Sequence, residues 1–170
     1  MKEKMQFLEK NLDRMNYWLQ FAEAKNAAAI AYITAILIIV CTTGVIPSAT
    51  WLILITAVYA AGIIIALASF FPRYHVDVYN RDGEYDDKDN YLFWLHIAKY
   101  AVPDYIRAVK TKFFEENEAE CYLRSETMYA EEIIANARIA KAKYEMFKWV
   151  VRCCVIGTLM IPISIIFTSC

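Results

Sequence analysis

The residues from which a reaction could be built are few in this chain of 170 residues, and their spacing argues against one. The two histidines, His75 and His96, lie too far apart in sequence and context to form a metal-ligand pair. His96 sits beside Trp94 in what reads as an amphipathic helix, where an imidazole serves packing or an interface more readily than general base catalysis. The cysteines (Cys41, Cys121, Cys153, Cys154 and Cys170) are odd in number and scattered, so neither a disulfide framework nor a zinc site finds its spacing. Cys153 and Cys154 read as small lipid-buried residues. The chain contains no Gly-rich phosphate loop and no Gly-x-Ser-x-Gly. The expectation is a non-enzyme with no catalytic residues, no metal and no resident cofactor. One polar group stands out: Asn26, at the edge of a long apolar run, is either a satisfied packing amide or a ligand-contacting or register-setting group. The acidic run Glu115–Glu120 reads as a solvated helix face.

The elements around these residues are dictated by where charge is missing. Hydrophobic residues make up 59% of the chain, too many for an ordinary soluble domain, and the net charge of −1 gives no argument for a nucleic-acid binder. No Asp, Glu, Lys, Arg or His lies between Lys25 and Arg73 or after Arg152. These uncharged runs read as membrane. The first is too long for one span and divides at Thr42–Thr50, where Gly44, Pro47 and Ser48 supply turn chemistry. The expected spans are 27–46, 50–71 and 149–170, the last with Arg152 snorkelling from its first turn and a kink at Pro162. The nine Ile, Leu and Val of the first span contribute roughly −3 to −5 kcal/mol on the insertion scale. All 18 Lys and Arg fall in residues 2–25 and 73–152, stretches separated by two spans. The positive-inside rule then puts the N-terminus in the cytoplasm and the C-terminus in the periplasm. The apolar run begins too late and is too long for a secretory signal peptide. With no ionisable residue of these kinds in the membrane core, the usual parts of a proton relay are missing.

The predicted fold class is therefore an all-α membrane protein: three transmembrane helices with a helical cytoplasmic region between spans two and three. Residues 1–26 form an amphipathic cytoplasmic helix, with Met5, Leu8, Leu12, Met15, Leu19 and Ala22 in one seam that Asn26 continues. Residues 27–71 are a transmembrane hairpin and 72–148 the cytoplasmic region. Within it, 73–89 reads as a linker, its NRDGEYDDKDN stretch lacking any hydrophobic period. Asp89 or Asn90 is expected to cap a helix from Tyr91 to Val102, and Pro103 to open another as far as Phe114. A long helix from about Glu115 into span three should present Tyr129, Ile133, Ala137, Ala140, Tyr144, Phe147 and Val151 on one stripe. Small residues recur every four positions at Ala27, Ala31 and Ala35, at Ala57 and Ala61, and at Gly62 and Ala66, a spacing that permits close helix approach within a monomer or between protomers.

Four blocks carry a family resemblance, in order along nearly the whole chain. They are Trp18-Leu19-Gln20-Phe21-Ala22-Glu23-Ala24-Lys25-Asn26, Phe71-Pro72-Arg73, the block from Asn90-Tyr91-Leu92-Phe93-Trp94 to Ile97-Ala98-Lys99-Tyr100, and the segment from Tyr129 to Tyr144. Together they resemble the small bacterial membrane effectors of the Pycsar system, the pyrimidine cyclase system for anti-phage resistance. The resemblance implies an effector that senses cyclic CMP or cyclic UMP from a companion uridylate or cytidylate cyclase. It then impairs the inner membrane, stopping growth before phage release. The small-residue spacing suits a homo-oligomer in the bilayer, and the near-zero net charge leaves no nucleic acid among the expected partners. A cyclic phosphate calls for a cation or a helix N-terminus, and a pyrimidine for a ring and amides. The matching blocks offer Arg73, Lys99 and Lys143 as cations, Trp94 and Tyr144 as rings, and Asn26, Asn90 and Asn136 as amides. Two other classes stay open: a constitutive pore former of the holin or toxin type, and a scaffold recruiting a partner through the cytoplasmic helices.

Overall fold

The computed structural model describes residues 2–73, 75–86, 88–115 and 123–169. Five helices account for its regular structure: α1 (Lys2–Thr43), α2 (Ala49–Ala68), α3 (Trp94–Ile97), α4 (Val102–Phe114) and α5 (Arg124–Ser169). No strand occurs among the described residues. The fold is all-helical, and α1, α2 and α5 each hold a stretch long and apolar enough to cross a bilayer. Contacts divide the chain into two compact units, Met1–Phe21 with Arg73–Ala142, and Ala22–Pro72 with Lys143–Cys170. Both α1 and α5 contribute residues to each.

The first unit is the charged one. Its core gathers Leu8 and Met15 of α1, Ile97 of α3, Val102, Tyr105, Ile106 and Val109 of α4, and Ala130, Ile133, Ile134 and Ala137 of α5. The apolar seam of α1 thus points inward at Leu8 and Met15, and it also carries a buried amide. Asn11 is 1% exposed and donates from Nδ2 to the Tyr91 carbonyl and to the Tyr105 hydroxyl, so its burial is compensated. Helix α4 runs from Val102 to Phe114 with Pro103 in its first turn, where a missing N–H costs nothing, and ends as Glu115 turns left-handed at φ +54°.

Two sequence expectations change here. The helix expected from Tyr91 to Val102 is reduced to the single turn Trp94–Ile97. Asn90 caps no helix: its Oδ1 accepts the Leu92 N–H at 2.9 Å, a local turn that competes with helix formation. The long helix begins at Arg124 rather than near Glu115, and Glu126 in its first turn accepts the Leu123 N–H, satisfying one of the donors left at a helix start. Of the acidic run Glu115–Glu120, only Glu115 is described; the remainder lies outside the described residues, as do Cys121 and Cys170.

The segment expected as a linker is irregular but tied down. Arg138 of α5 donates from Nε to the Ala98 carbonyl, from Nη1 to that of Asp77, and from Nη2 to those of Asn80 and Tyr100. The backbone adds Val102 N to Val78 O at 3.0 Å and Asp82 N to Lys99 O at 2.9 Å. One guanidinium therefore satisfies four carbonyls that irregular backbone would otherwise leave to water.

The second unit holds the apolar parts of α1 and α5 with α2, packed around Ile33, Val40, Ile46, Ile55, Tyr59, Ala66 and Val150. Helix α1 stops at Thr43 because Gly44 adopts φ +63°, a conformation that carries no penalty without a Cβ. Gly157 is required by contact: a Cβ there would lie 2.7 Å from the buried Tyr59 ring. The Tyr59 hydroxyl lies 3.0 Å from Thr158 Oγ1, and the Tyr32 hydroxyl 2.7 Å from the same atom. Thr158 donates its own proton to the Cys154 carbonyl, so both tyrosines donate to it. This link joins all three apolar helices through side chains. Helix α5 continues through Pro162 to Ser169.

Candidate functional site

In the first unit, Lys99 follows the α3 turn and extends its Nζ to Asp89 Oδ1 at 2.7 Å. Burial alone would raise the Asp89 carboxyl, but the Lys99 ammonium, the Asp86 backbone and the Tyr100 hydroxyl outweigh it and hold the group below the usual carboxylate range. Asn90 is spent on its own turn, and its backbone N–H donates to His96 Nδ1 at 2.8 Å. His96 is thus a structural acceptor, consistent with a packing role. Trp94 opens α3 and packs against the core beside Phe93. Asn136 donates to Asn16 Oδ1 at 2.8 Å, linking α5 to α1. Arg73 is exposed and lines two adjoining clefts of about 570 and 420 Å³. Asn136 shares the smaller one, together with Glu131 and Glu132.

In the second unit, Asn26 is fully buried on α1; its Nδ2 donates to the Ala22 carbonyl at 3.1 Å, while its Oδ1 has no hydrogen-bond partner. Lys143 is 5% exposed and ion-paired to Glu23 at 2.7 Å, its Nζ 6.0 Å from the Phe70 ring centre. Tyr144 lies beneath the Lys25 ammonium, 5.0 Å from its ring centre. The eight residues chosen from the sequence therefore divide between the units: Arg73, Asn90, Trp94, Lys99 and Asn136 in one, Asn26, Lys143 and Tyr144 in the other.

A further cleft, of about 830 Å³, lies wholly within the first unit, and of those eight only Lys99 reaches it. Its walls are Arg81, Glu84, Tyr85 and Asp86 from the irregular segment, Tyr91, Lys99 and Tyr100 around α3, and Asp104, Arg107, Ala108, Thr111 and Lys112 from α4. Tyr85 and Tyr100 stack at 4.2 Å with planes 3° apart, and the Arg81 guanidinium lies 4.4 Å from the Tyr85 ring centre. Asp104 orients both: Arg81 Nε donates to its Oδ2 at 3.0 Å and the Tyr85 hydroxyl at 2.7 Å. Burial pushes Asp104 up, yet the Tyr85 and Arg81 bonds pull it below the ordinary carboxyl value. Burial raises Tyr85, and burial with the Tyr91 and Asp89 neighbours raises Tyr100 further, so both are neutral phenols at physiological pH.

Part of this cleft has a sequence signal. Asp104, Arg107, Ala108 and Thr111 follow three- and four-residue spacing on α4, the polar face opposite Tyr105, Ile106 and Val109. Arg81 and Tyr85 have none, because the segment holding them has no period.

The family model of the Pycsar effector protein domain, PycTM, matches residues 7–169, so the match runs through both units. No curated protein and no solved structure matches the chain.

Proposed function

The chain belongs to the Pycsar effector family, which makes it an anti-phage defence effector acting downstream of a cyclase, and on that premise we propose that it senses cyclic CMP or cyclic UMP and then impairs the inner membrane. The ligand is an activating signal, not a cofactor, and the outcome is growth arrest before phage release. The supporting observation is the sharing of α1 and α5. One unit carries clefts lined with cations and rings, the other three apolar helices, and two helices belong to both. A nucleotide shifts such a protein only by binding one arrangement of its helices better than another. Moving a resting equilibrium from about 1:99 to 99:1 needs roughly 5.5 kcal/mol of differential affinity. Assembly into a homo-oligomer multiplies that leverage. The exposed row of Ala27, Ala31 and Ala35 on α1 suits the close approach this needs. In the proposed topology the charged unit and the N-terminus face the cytoplasm, where the cyclase product is made.

The test is dye release from lipid vesicles containing the purified full-length protein, with cyclic CMP, cyclic UMP or cyclic AMP added. Leakage that rises only with a cyclic pyrimidine nucleotide is expected. Equal leakage without nucleotide makes the chain a constitutive pore former. No leakage under any condition, with nucleotide binding absent too, favours a scaffold.

A further inference from the structure

The geometry points to the cleft between the 81–86 segment and α4 as the nucleotide site, with the pyrimidine stacked on Arg81 and the cyclic phosphate held by Arg107 and Lys112. This assignment rests on the reading of the chain as a cyclic-nucleotide sensor. At about 830 Å³ the cleft falls within the roughly 300–1,000 Å³ of small-ligand sites. Tyr100 and Tyr85 form two parallel layers, the inner one buried, and the Arg81 guanidinium, whose side chain is 63% exposed, lies over the Tyr85 ring. Asp104 fixes that guanidinium through Nε, so its plane is set before any ligand arrives. A flat heterocycle can add to this site by stacking on Arg81, since guanidinium planes accept bases as aromatic rings do.

The phosphate requirement is met one turn along α4. Arg107 is half exposed and only loosely engaged, its Nη1 4.0 Å from Asp104. Thr111 and Lys112 follow on the same cleft wall. The lining holds four cations (Arg81, Lys99, Arg107, Lys112) against three carboxylates (Glu84, Asp86, Asp104), and Lys99 is further balanced by Asp89. That near-neutral balance suits a monoanion and disfavours a polyphosphate. The clefts beside Arg73 are less suitable: Glu131 and Glu132 line one, and in the other Arg138 has already committed donors to four backbone carbonyls.

The full-length protein in lipid nanodiscs should be titrated calorimetrically with cyclic CMP and cyclic UMP. The parent is expected to bind at least one of them. The double variant Arg107→Gln/Lys112→Gln changes exposed side chains outside the core and should bind about ten- to hundredfold more weakly, the loss of a charged hydrogen bond. Lys10→Gln, an equally exposed charge on α1, should bind as the parent does. Helical content and melting temperature confirm that each variant is folded. Parent-like binding by the double variant overturns the site while leaving the sensor reading intact. So does a loss confined to Arg73→Gln, which moves the ligand to the neighbouring clefts. A parent that binds neither nucleotide overturns the sensor reading, and this site with it.

Discussion

Lys110 and Glu126 form an ion pair at 3.1 Å with side chains only 9% and 4% exposed, so neither charge can turn to water if its partner is removed. Cutting the pair on one side leaves a buried charge without its ion-pair partner, a change that costs up to about 3–5 kcal/mol. Glu126→Gln and Lys110→Met should each lower the melting temperature of the purified protein sharply. The combined variant Lys110→Met/Glu126→Gln should recover most of the loss, because no buried charge remains and the glutamine keeps an acceptor for the Leu123 N–H. If the double variant melts below both singles, the pair is held for something other than charge balance. A pH effect belongs to the same scale. Asp77 is lowered by the Asn80 amide and the Tyr79 and Asn80 backbone N–H groups, while in Asp89 and Asp104 burial is outweighed by cations and hydroxyls. A carboxyl whose folded pKa is depressed stabilises the fold above its unfolded value, near about 4, and loses that contribution as pH falls through the folded value. Acidification below about pH 4 should therefore progressively loosen the 77–104 segment, seen as a fading aromatic circular dichroism of the stacked Tyr85 and Tyr100. An aromatic signal that stays unchanged while these carboxyls are protonated contradicts the assignment. These ties were not legible in the sequence, since Asp89–Lys99 and Arg138–Asn80 depend on how an aperiodic segment folds back.

At the scale of elements, periodicity did most of the reading. The seam of α1 and the Pro103 start of α4 follow from spacing and from proline's missing donor. The α3 region defeated it: Asn90 and Asp89 found local backbone partners, and a helix of one turn has no period to detect. Small-residue spacing also could not tell an internal contact from an external one. Gly62 and Ala66 are buried, and a Cβ on Gly62 would sit 3.1 Å from both Cys153 Cβ and Ile33 Cδ1. Ala27, Ala31 and Ala35 face outward. The two ladders should therefore fail differently. Gly62→Leu overpacks the apolar core and should cost about 1–3 kcal/mol or more, read as a lower melting temperature in detergent. Ala31→Leu should change stability by no more than about 0.5 kcal/mol while weakening chemical crosslinking between protomers in membranes. Unchanged crosslinking with Ala31→Leu removes this face from the proposed assembly.

For the whole molecule, the three apolar stretches were plain from missing charge alone, because an uncharged run of this length has few other uses. The division into units was less visible, since α1 and α5 pass from polar to apolar sequence without a break. Their continuity makes orientation the property on which the function turns. Every Lys and Arg lies in residues 2–25 or 73–152, and in the proposed three-span topology an even number of crossings separates these stretches, which puts both on one side. In the proposed topology the positive-inside bias assigns that side to the cytoplasm, with the strongest weight on Lys25, Arg73, Lys143, Lys148 and Arg152 near the ends of the apolar stretches. Arg152 stacks on Trp149 at 4.3 Å, a cation and an indole paired where aromatic side chains favour the membrane boundary. That proposal places the Gly44–Ser48 turn and the C-terminal end of α5 in the periplasm. Alkaline phosphatase fused after Ser48 or after Cys170 should be active, and fused at Asp86 inactive, with a cytoplasmic fluorescent reporter giving the opposite pattern. A cytoplasmic signal after Cys170 would mean that α5 does not cross. The charged unit and the proposed nucleotide cleft would then lack a third transmembrane helix to act on.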